Sequence, residues 1–132
     1  ALYTVASRGY PESGVGAERP QIAGVFVRRL QKGMKLQADP TVIYGLAERF
    51  DGNLRRSDLE TDTPYNSYTR TGLPPTPICL PSRAAIEAVL SPAAGNELYF
   101  VAKGDGSHHF SATLDEHQRA VTQYQRRRAS TP

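Results

Sequence analysis

The chain has 132 residues, a hydrophobic fraction of 39% and a formal net charge of +3 at pH 7. This length suits a single domain with its own core, and no apolar run is long enough to span a membrane. The tyrosines lie among acids and prolines instead of on a basic face, which argues against nucleic-acid binding. The single Cys79 excludes an internal disulfide and a cysteine-based zinc site.

The first part of the chain predicts a loop followed by a strong helix. Residues 1–16 include three glycines and Pro11, which is typical of a loop. Residues 18–32 predict a helix, because apolar residues recur on one stripe, Pro20 lies near the start and Gly33 follows the end. The inward residues of this helix are expected to be Ile22, Val25, Phe26 and Leu30, and the solvated ones Arg28, Arg29 and Gln31. Because the chain does not begin with Met, we expect it to be a domain of a longer protein.

Residues 36–45 mix polar and apolar side chains with no simple period. Four hydrogen-bonding side chains fall within eight positions, an arrangement suited to a hydroxyl- and amide-rich ligand such as a glycan. They are Gln37, Asp39, Thr41 and Tyr44. A second interpretation, compatible with the first, is a short helix with Asp39 as N-cap and Pro40 at its first position.

Residues 62–78 contain two tyrosines and four prolines. This composition does not fit a regular element, and it is too aromatic for a flexible linker. The segment therefore predicts a long ordered loop of the kind that carries function.

The last third predicts a helix, a β-hairpin and a final helix. Ser82 is expected to cap a helix over 82–90, with Ile86, Val89 and Leu90 inward. Residues 98–103 and 108–111 flank a four-residue turn and predict a hairpin. A capping box at residues 113–116 opens a helix over 114–126, with Leu114, Val121 and Tyr124 inward. The order of elements predicts a single α+β domain over residues 1–132.

Five sequence blocks, in order and nearly without gaps from Glu12 to Tyr124, resemble the MltG (YceG-like) family of endolytic peptidoglycan (murein) transglycosylases. The blocks are residues 28–45, with GMKLQADPTVIYG, 65–69 (YNSYT), 72–78 (GLPPTPI), 98–108 (LYFVA followed by Gly104 and Gly106-Ser107-His108) and 114–117 (LDEH).

The resemblance implies a bacterial inner-membrane protein whose catalytic domain faces the periplasm. Such a domain would cut nascent glycan strands internally at the MurNAc–GlcNAc bond and leave 1,6-anhydroMurNAc ends. The implied partners are peptidoglycan strands and, as candidates, peptidoglycan synthases. No cofactor is implied. The membrane helix and LysM-like subdomain usual in the family would precede Ala1 and are absent from this chain.

The resemblance also implies that Glu12 is the catalytic acid, but its surroundings depart from the family pattern. Residues 8–11 (RGYP) stand where the family has two apolar residues, Glu and Lys, so two helix breakers enter a segment that is normally helical. Either the backbone takes another route before Glu12, or the chain is an altered or inactive variant. We expect Asn66 and Tyr68, with Gln37 and Tyr44, to hold the N-acetyl and hydroxyl groups of the glycan.

Two other functions stay open. A second acid across the sugar from Glu12 would make the protein a muramidase-type hydrolase, and Asp39, Glu48 and Asp62 are the acids near the motifs. The other alternative is a glycan-binding remnant without catalysis. His108 and His117 are more typical of hydrogen-bonded structure than of a metal site, so no metal is predicted. Only Lys32, Lys35 and Lys103 could form a Schiff base, which argues against pyridoxal phosphate.

Overall fold

A computed structural model of the chain describes residues 18–78 and 83–130. Helices and one antiparallel pair of strands confirm the predicted α+β class. The predicted loop over residues 1–16 and the Ser82 cap lie outside the described residues. In chain order the elements are α1 (Arg19–Gln31), α2 (Asp39–Leu46), a 3-10 turn (Ala47–Arg49), α3 (Arg56–Glu60), α4 (Arg83–Leu90), β1 (Tyr99–Ala102), β2 (His108–Ser111) and α5 (Leu114–Ser130). Within the described ranges, none of the helices has the length and apolar character needed to cross a membrane.

Helix α1 carries the core, as its periodicity predicts. Pro20 lies in its first turn, where a missing backbone N–H costs nothing. Gly33 follows the end with a φ of 70°, a left-handed conformation that glycine adopts without strain. Ile22 and Phe26 are almost fully buried, and the rings of Phe26 and Phe100 meet edge to face at 5.8 Å. The apolar face of α1 therefore packs directly on β1.

Arg28 and Arg29, in the last turns of α1, are not solvated, contrary to the expectation from their charge. Arg28 donates from Nε to the Glu97 carbonyl at 2.7 Å and from Nη1 to the Ala93 carbonyl at 2.9 Å. Arg29 is 7% exposed and donates from Nε to the Leu98 carbonyl at 2.6 Å. Backbone carbonyls of the segment before β1 accept hydrogen bonds from both guanidinium groups. The two arginines therefore tie α1 to the start of the hairpin.

The hairpin and the last helix follow the sequence prediction closely. Strands β1 and β2 pair antiparallel with Tyr99 opposite Ser111 and Ala102 opposite His108. Thr113 caps α5 by accepting the backbone N–H of Glu116 at 3.2 Å. Helix α5 then packs along both strands, and α4 packs against α1.

Two leucines expected to face inward are exposed. Leu90 is 63% exposed and Leu114 is 52% exposed. The contact stripe of α4 is shifted by one residue, with Ala85 and Ala88 buried in place of Leu90. Small alanines let two helices approach closely, so the choice of inward face follows shape as well as hydrophobicity. Leu114 is the first residue of α5, and the burial of that helix comes further along, at Ala120.

Candidate functional site

A groove of about 490 Å³ crosses the face where α1, α5 and β1 meet the start of α2. Its volume falls in the range of about 300–1,000 Å³ common for small-molecule sites. Its lining includes apolar walls from Leu36, Phe100 and Val121 and polar groups from the segment before α2. The groove can therefore receive a ligand that presents both apolar and hydrogen-bonding surface.

Three of the predicted substrate contacts line this groove. They are Gln37, Asp39 and Tyr68. The Tyr68 hydroxyl donates to Asp39 Oδ1 at 2.6 Å, which joins the 62–78 loop to the start of α2. Gln37 has a φ of 51°, a left-handed conformation that costs a non-glycine residue about 1 kcal/mol or more. Its backbone N–H donates to the Ser67 carbonyl at 3.1 Å, so the loop holds this strained residue at the groove.

Thr41 and Asn66 occupy a different place from the predicted one. Thr41 is 0% exposed and Asn66 is 1% exposed, so neither side chain can touch a ligand in the groove. The Thr41 hydroxyl lies 2.6 Å from the Ala38 carbonyl and 2.7 Å from Ser67 Oγ. Asn66 holds the backbone of its own loop. Both residues support the groove from behind instead of contacting its occupant.

Helix α2 begins one residue away from the predicted cap. Asp39 is the first helical residue and Ala38 is the N-cap, with no side-chain cap of its own. Ser67 Oγ accepts the Ala38 N–H at 2.9 Å, so a side chain from the loop satisfies a donor near the helix start. Asp39 is thereby left to accept the Tyr68 hydroxyl at the groove.

Tyr44 lies away from the groove lining, on the outer side of α2. It is 44% exposed, and the centroid of its ring lies 4.7 Å from that of the Tyr65 ring. The Tyr65 hydroxyl in turn shares a hydrogen bond of 2.8 Å with Thr76 Oγ1. The structure therefore places Tyr44 in an aromatic pair that is separate from the groove.

The acids considered from the sequence differ in their surroundings. Glu12 lies outside the described residues. Glu48 is exposed in the 3-10 turn, and Asp62 is bound by Thr69 and Arg70. The hydrogen bond from Arg70, assisted by that from Thr69, lowers the pKa of Asp62 to about 2. Of the three acids near the motifs, Asp39 is the one that lines the groove.

The groove also contains basic side chains that were not predicted as site residues. They are Arg29, His108 and His117. His108 is fixed by Glu18, which accepts its backbone N–H at 2.8 Å and lies 3.2 Å from its Nδ1. A sequence signal for Arg29 existed, because it follows Ile22 and Phe26 by seven and three residues and so falls on the inward stripe of α1.

His117 stacks on the ring of Tyr99, with the ring centroids 5.0 Å apart and the planes 20° from parallel. Burial lowers the pKa of His117, and the nearby charges of Arg29 and His109 lower it further. The imidazole is therefore kept neutral near pH 7. In the described part of the chain, no group of three or more His, Cys, Asp or Glu side chains is arranged to hold a metal ion.

Comparison with known proteins identifies the family. The model of the YceG-like family matches residues 1–123. The chain belongs to the YceG-like family. Within this family it is similar to an endolytic murein transglycosylase of Bacillus subtilis strain 168, with 45% identity over 123 residues. It is also similar to an endolytic murein transglycosylase of Streptococcus pneumoniae strain D39, with 33% identity over 128 residues.

The fold agrees with a solved member of the YceG-like family. A crystal structure of a YceG-like protein of Listeria monocytogenes matches with a TM-score of 0.84 and 42% sequence identity, covering 90% of this chain and 39% of that one. The two curated relatives are each matched over 93% of this chain, which spans 34% of the Bacillus protein and 23% of the streptococcal one. The YceG-like chain therefore corresponds to one part of longer proteins.

Proposed function

We propose that this YceG-like chain is the catalytic domain of a peptidoglycan lytic endotransglycosylase. It would cleave the MurNAc–GlcNAc bond within a glycan strand and leave 1,6-anhydroMurNAc ends. The observation that carries the proposal is that Gln37, Asp39 and Tyr68 line one groove in a chain whose relatives are named endolytic murein transglycosylases.

The proposed reaction needs one acid that changes role during the cycle. Glu12, the acid assigned by family resemblance, would protonate the bridging oxygen as the bond to C1 of the muramic acid breaks. As carboxylate it would then take the proton from the C6 hydroxyl, whose oxygen attacks C1 and closes the 1,6-anhydro ring. No water enters the product. The acid must start protonated near neutral pH, which an apolar and poorly solvated position favours by raising its pKa.

The groove residues would bind and orient the sugar. Gln37 and Asp39 are exposed and offer an amide and a carboxylate to hydroxyl and N-acetyl groups. Tyr68 adds its ring as part of the wall while its hydroxyl holds Asp39. Thr41 and Asn66 would act indirectly by fixing the loop, and Tyr44 with Tyr65 would offer an aromatic face to a neighbouring part of the strand.

The test combines product analysis with a conservative substitution. Glu12→Gln keeps the size of the side chain but cannot donate and reclaim a proton. Turnover of purified sacculi, measured as 1,6-anhydro muropeptides by mass spectrometry, should fall about 10²- to 10⁴-fold. Glu48→Gln is the matched control, because Glu48 is exposed and lies away from the groove, and it should retain full turnover.

The same experiment separates the rival functions. Asp39 is an acid on the groove wall, which is the observation that favours a hydrolase. In water enriched in ¹⁸O, a hydrolase would give reducing ends that carry the label, whereas internal attack would give unlabelled anhydro ends. Unchanged muropeptides at high protein concentration would instead support a non-catalytic glycan-binding remnant, for which the altered residues 8–11 argue. Full turnover by Glu12→Gln would move the search for the acid to Asp39.

We also propose where the domain works. A substrate made of nascent peptidoglycan implies a position on the periplasmic side of the bacterial inner membrane, close to peptidoglycan synthases. Protease accessibility of the natural full-length protein in intact spheroplasts measures this directly. Degradation of the domain only after the inner membrane is permeabilised would contradict the proposed location.

A further inference from the structure

Arg29 is a buried cation on the wall of the groove. Its residue surface is 7% exposed, although the groove reaches its side chain. Nε donates to the Leu98 carbonyl at 2.6 Å, and Nη1 donates to the Lys35 carbonyl at 2.8 Å. The guanidinium carbon lies 5.0 Å from the centre of the Tyr99 ring. All these partners are neutral, so they orient the guanidinium without neutralising its charge.

A buried charge normally has a charged partner, because desolvation without one is costly. Within residues 18–78 and 83–130, no carboxylate lies within ion-pair distance of Arg29, and its Nη2 has no hydrogen-bond acceptor. The Nη2 atom is also not fully buried. Burial lowers the pKa of the guanidinium, which is the effect of removing a cation from water. One donor of a desolvated cation is therefore left for an acceptor in the groove.

His117 provides a second donor in the lining of the same groove. It stacks on Tyr99, the ring that Arg29 also contacts. Its Nδ1 is buried and has no partner among the described residues. A buried nitrogen without a partner costs less as a bare acceptor than as an orphaned N–H, which favours the tautomer with the proton on Nε2. Since Nδ1 is sealed off and His117 lines the groove, Nε2–H is the group that faces a ligand.

The carboxylates described near the groove already have partners. Asp39 accepts the Tyr68 hydroxyl at 2.6 Å, and Glu18 accepts the backbone N–H of His108 at 2.8 Å. Neither carboxylate is in hydrogen-bond contact with Arg29 or His117. The groove thus presents two N–H donors, one of them cationic, that lack an anionic acceptor from the described chain. A carboxylate has two oxygens and is the natural partner of a guanidinium.

We propose that Arg29 and His117 form a carboxylate-binding subsite that holds a carboxylate of the glycan substrate. The inference rests on the proposed function for the identity of the substrate. Two sources carry this chemistry. One is the lactyl carboxylate of muramic acid where the stem peptide is missing, and the other is a carboxyl group of the stem peptide where it is present.

Binding of soluble ligands to the chain, measured by calorimetry and by NMR titration, tests the proposal. The first pair is GlcNAc–MurNAc with a free lactyl carboxylate against the same disaccharide as its lactyl carboxamide. The second pair is GlcNAc–MurNAc-peptide against the same compound with amidated peptide carboxyls. The carboxylate form of one pair should bind at least about tenfold more tightly, the factor expected for a hydrogen bond to a charged group. The pair that shows the preference identifies the source.

Two variants locate the preference. His117→Phe keeps the stacking on Tyr99 and removes the ring nitrogens, and Arg29→Lys keeps the charge but not the fork of donors. Each should reduce the carboxylate preference at least about threefold, whereas Arg119→Lys, which alters a side chain away from the groove lining, should leave it intact. Far-UV circular dichroism and thermal melts identify an unfolded variant. If Arg29→Lys fails to fold, His117→Phe alone decides.

The outcomes distinguish this subsite from the proposed function. Equal affinity for the carboxylate and carboxamide forms of both pairs overturns the subsite, and sacculus cleavage would still support the enzyme. A carboxylate preference that depends on Arg29 and His117 supports the subsite even if no muropeptide is cut. A preference that survives both variants places the anion elsewhere and overturns the assignment. No binding of any of these ligands at millimolar concentration overturns it as well.

Discussion

Asn66 uses both ends of its side-chain amide to hold the loop in which it lies. Nδ2 donates to the carbonyls of Leu59 and Thr61 at 3.0 and 2.7 Å. Oδ1 accepts the backbone N–H groups of Tyr68 at 2.8 Å and Thr69 at 3.3 Å. Because Asn66 is 1% exposed, its side-chain amide has no water as a replacement partner. The position of Tyr68 at the groove therefore depends on a buried amide that the ligand never touches.

This arrangement predicts a stability defect for Asn66→Asp. The substitution keeps the shape but removes two N–H donors and places a carboxylate against two carbonyl oxygens. The free energy of unfolding should fall by about 2 kcal/mol or more, the scale of buried polar groups left without partners. Urea denaturation measures the loss. Asn53→Asp, in an exposed turn, should change stability by less than about 0.5 kcal/mol, and equal losses in the two variants would contradict the buried role of Asn66.

At the scale of elements, α1 joins the core to the groove. One side of the helix carries Phe26 against Phe100, while Arg29 on a neighbouring position extends along the groove wall to the segment before β1. A change in the packing of α1 would therefore move the guanidinium as well as the core. The helix that contributes to both the core and the groove wall is thus the one with the strongest sequence signal.

The prediction for this element is that Phe26→Ala lowers the free energy of unfolding by about 3 to 5 kcal/mol, because a large buried ring is replaced by a cavity. Phe26 is 1% exposed, and its ring contacts β1. Leu90→Ala is an informative control, since helical spacing predicts an inward Leu90 whereas the structure exposes 63% of it. It should cost less than about 1 kcal/mol in the same denaturant melts. A small loss at Phe26, or a large one at Leu90, would show that the buried faces are assigned incorrectly.

At the scale of the whole molecule, the sequence predicted the positions of the helices and strands better than the contacts of their polar side chains. The helices at 19–31 and 83–90, the hairpin and the start of the last helix at Leu114 follow from local periodicity, caps and glycines, although the last helix runs to Ser130 instead of the predicted residue 126. Helical spacing places Arg29 on the inward stripe of α1, but its hydrogen bond to the Leu98 carbonyl, 69 positions away, is contained in no local pattern. The burial of Asn66 similarly depends on how its loop folds on itself. Long-range contacts of this kind decide which polar residues line a groove and which support it.

A charged carboxylate, that of Asp62, also holds the loop behind the groove together. Asp62, near the start of the loop, accepts hydrogen bonds from Thr69 Oγ1 at 2.7 Å and from Arg70 Nε at 3.0 Å. These two contacts join residues on either side of Asn66 and Tyr68. They bind the ionised form of the carboxyl group and lower its pKa from 3.8 to about 2. The loop is therefore held partly by a group that titrates in acid.

The resulting prediction concerns the acid sensitivity of the whole fold. Because the pKa of Asp62 is lower in the folded state than in the unfolded state, its contribution to stability is fully present above about pH 4 and is lost as the pH falls toward 2. Asp62→Asn lacks this contribution at every pH, so the difference in unfolding free energy between the native chain and the variant should shrink between pH 4 and pH 2. Urea melts across this interval measure the difference, and NMR titration of the Asp62 carboxyl carbon measures its pKa. Arg70→Gln removes the largest cause of the shift and should move that pKa upward. A constant difference in stability across the interval, or an Asp62 pKa near 3.8 in the native chain, would contradict the role of this contact in holding the loop.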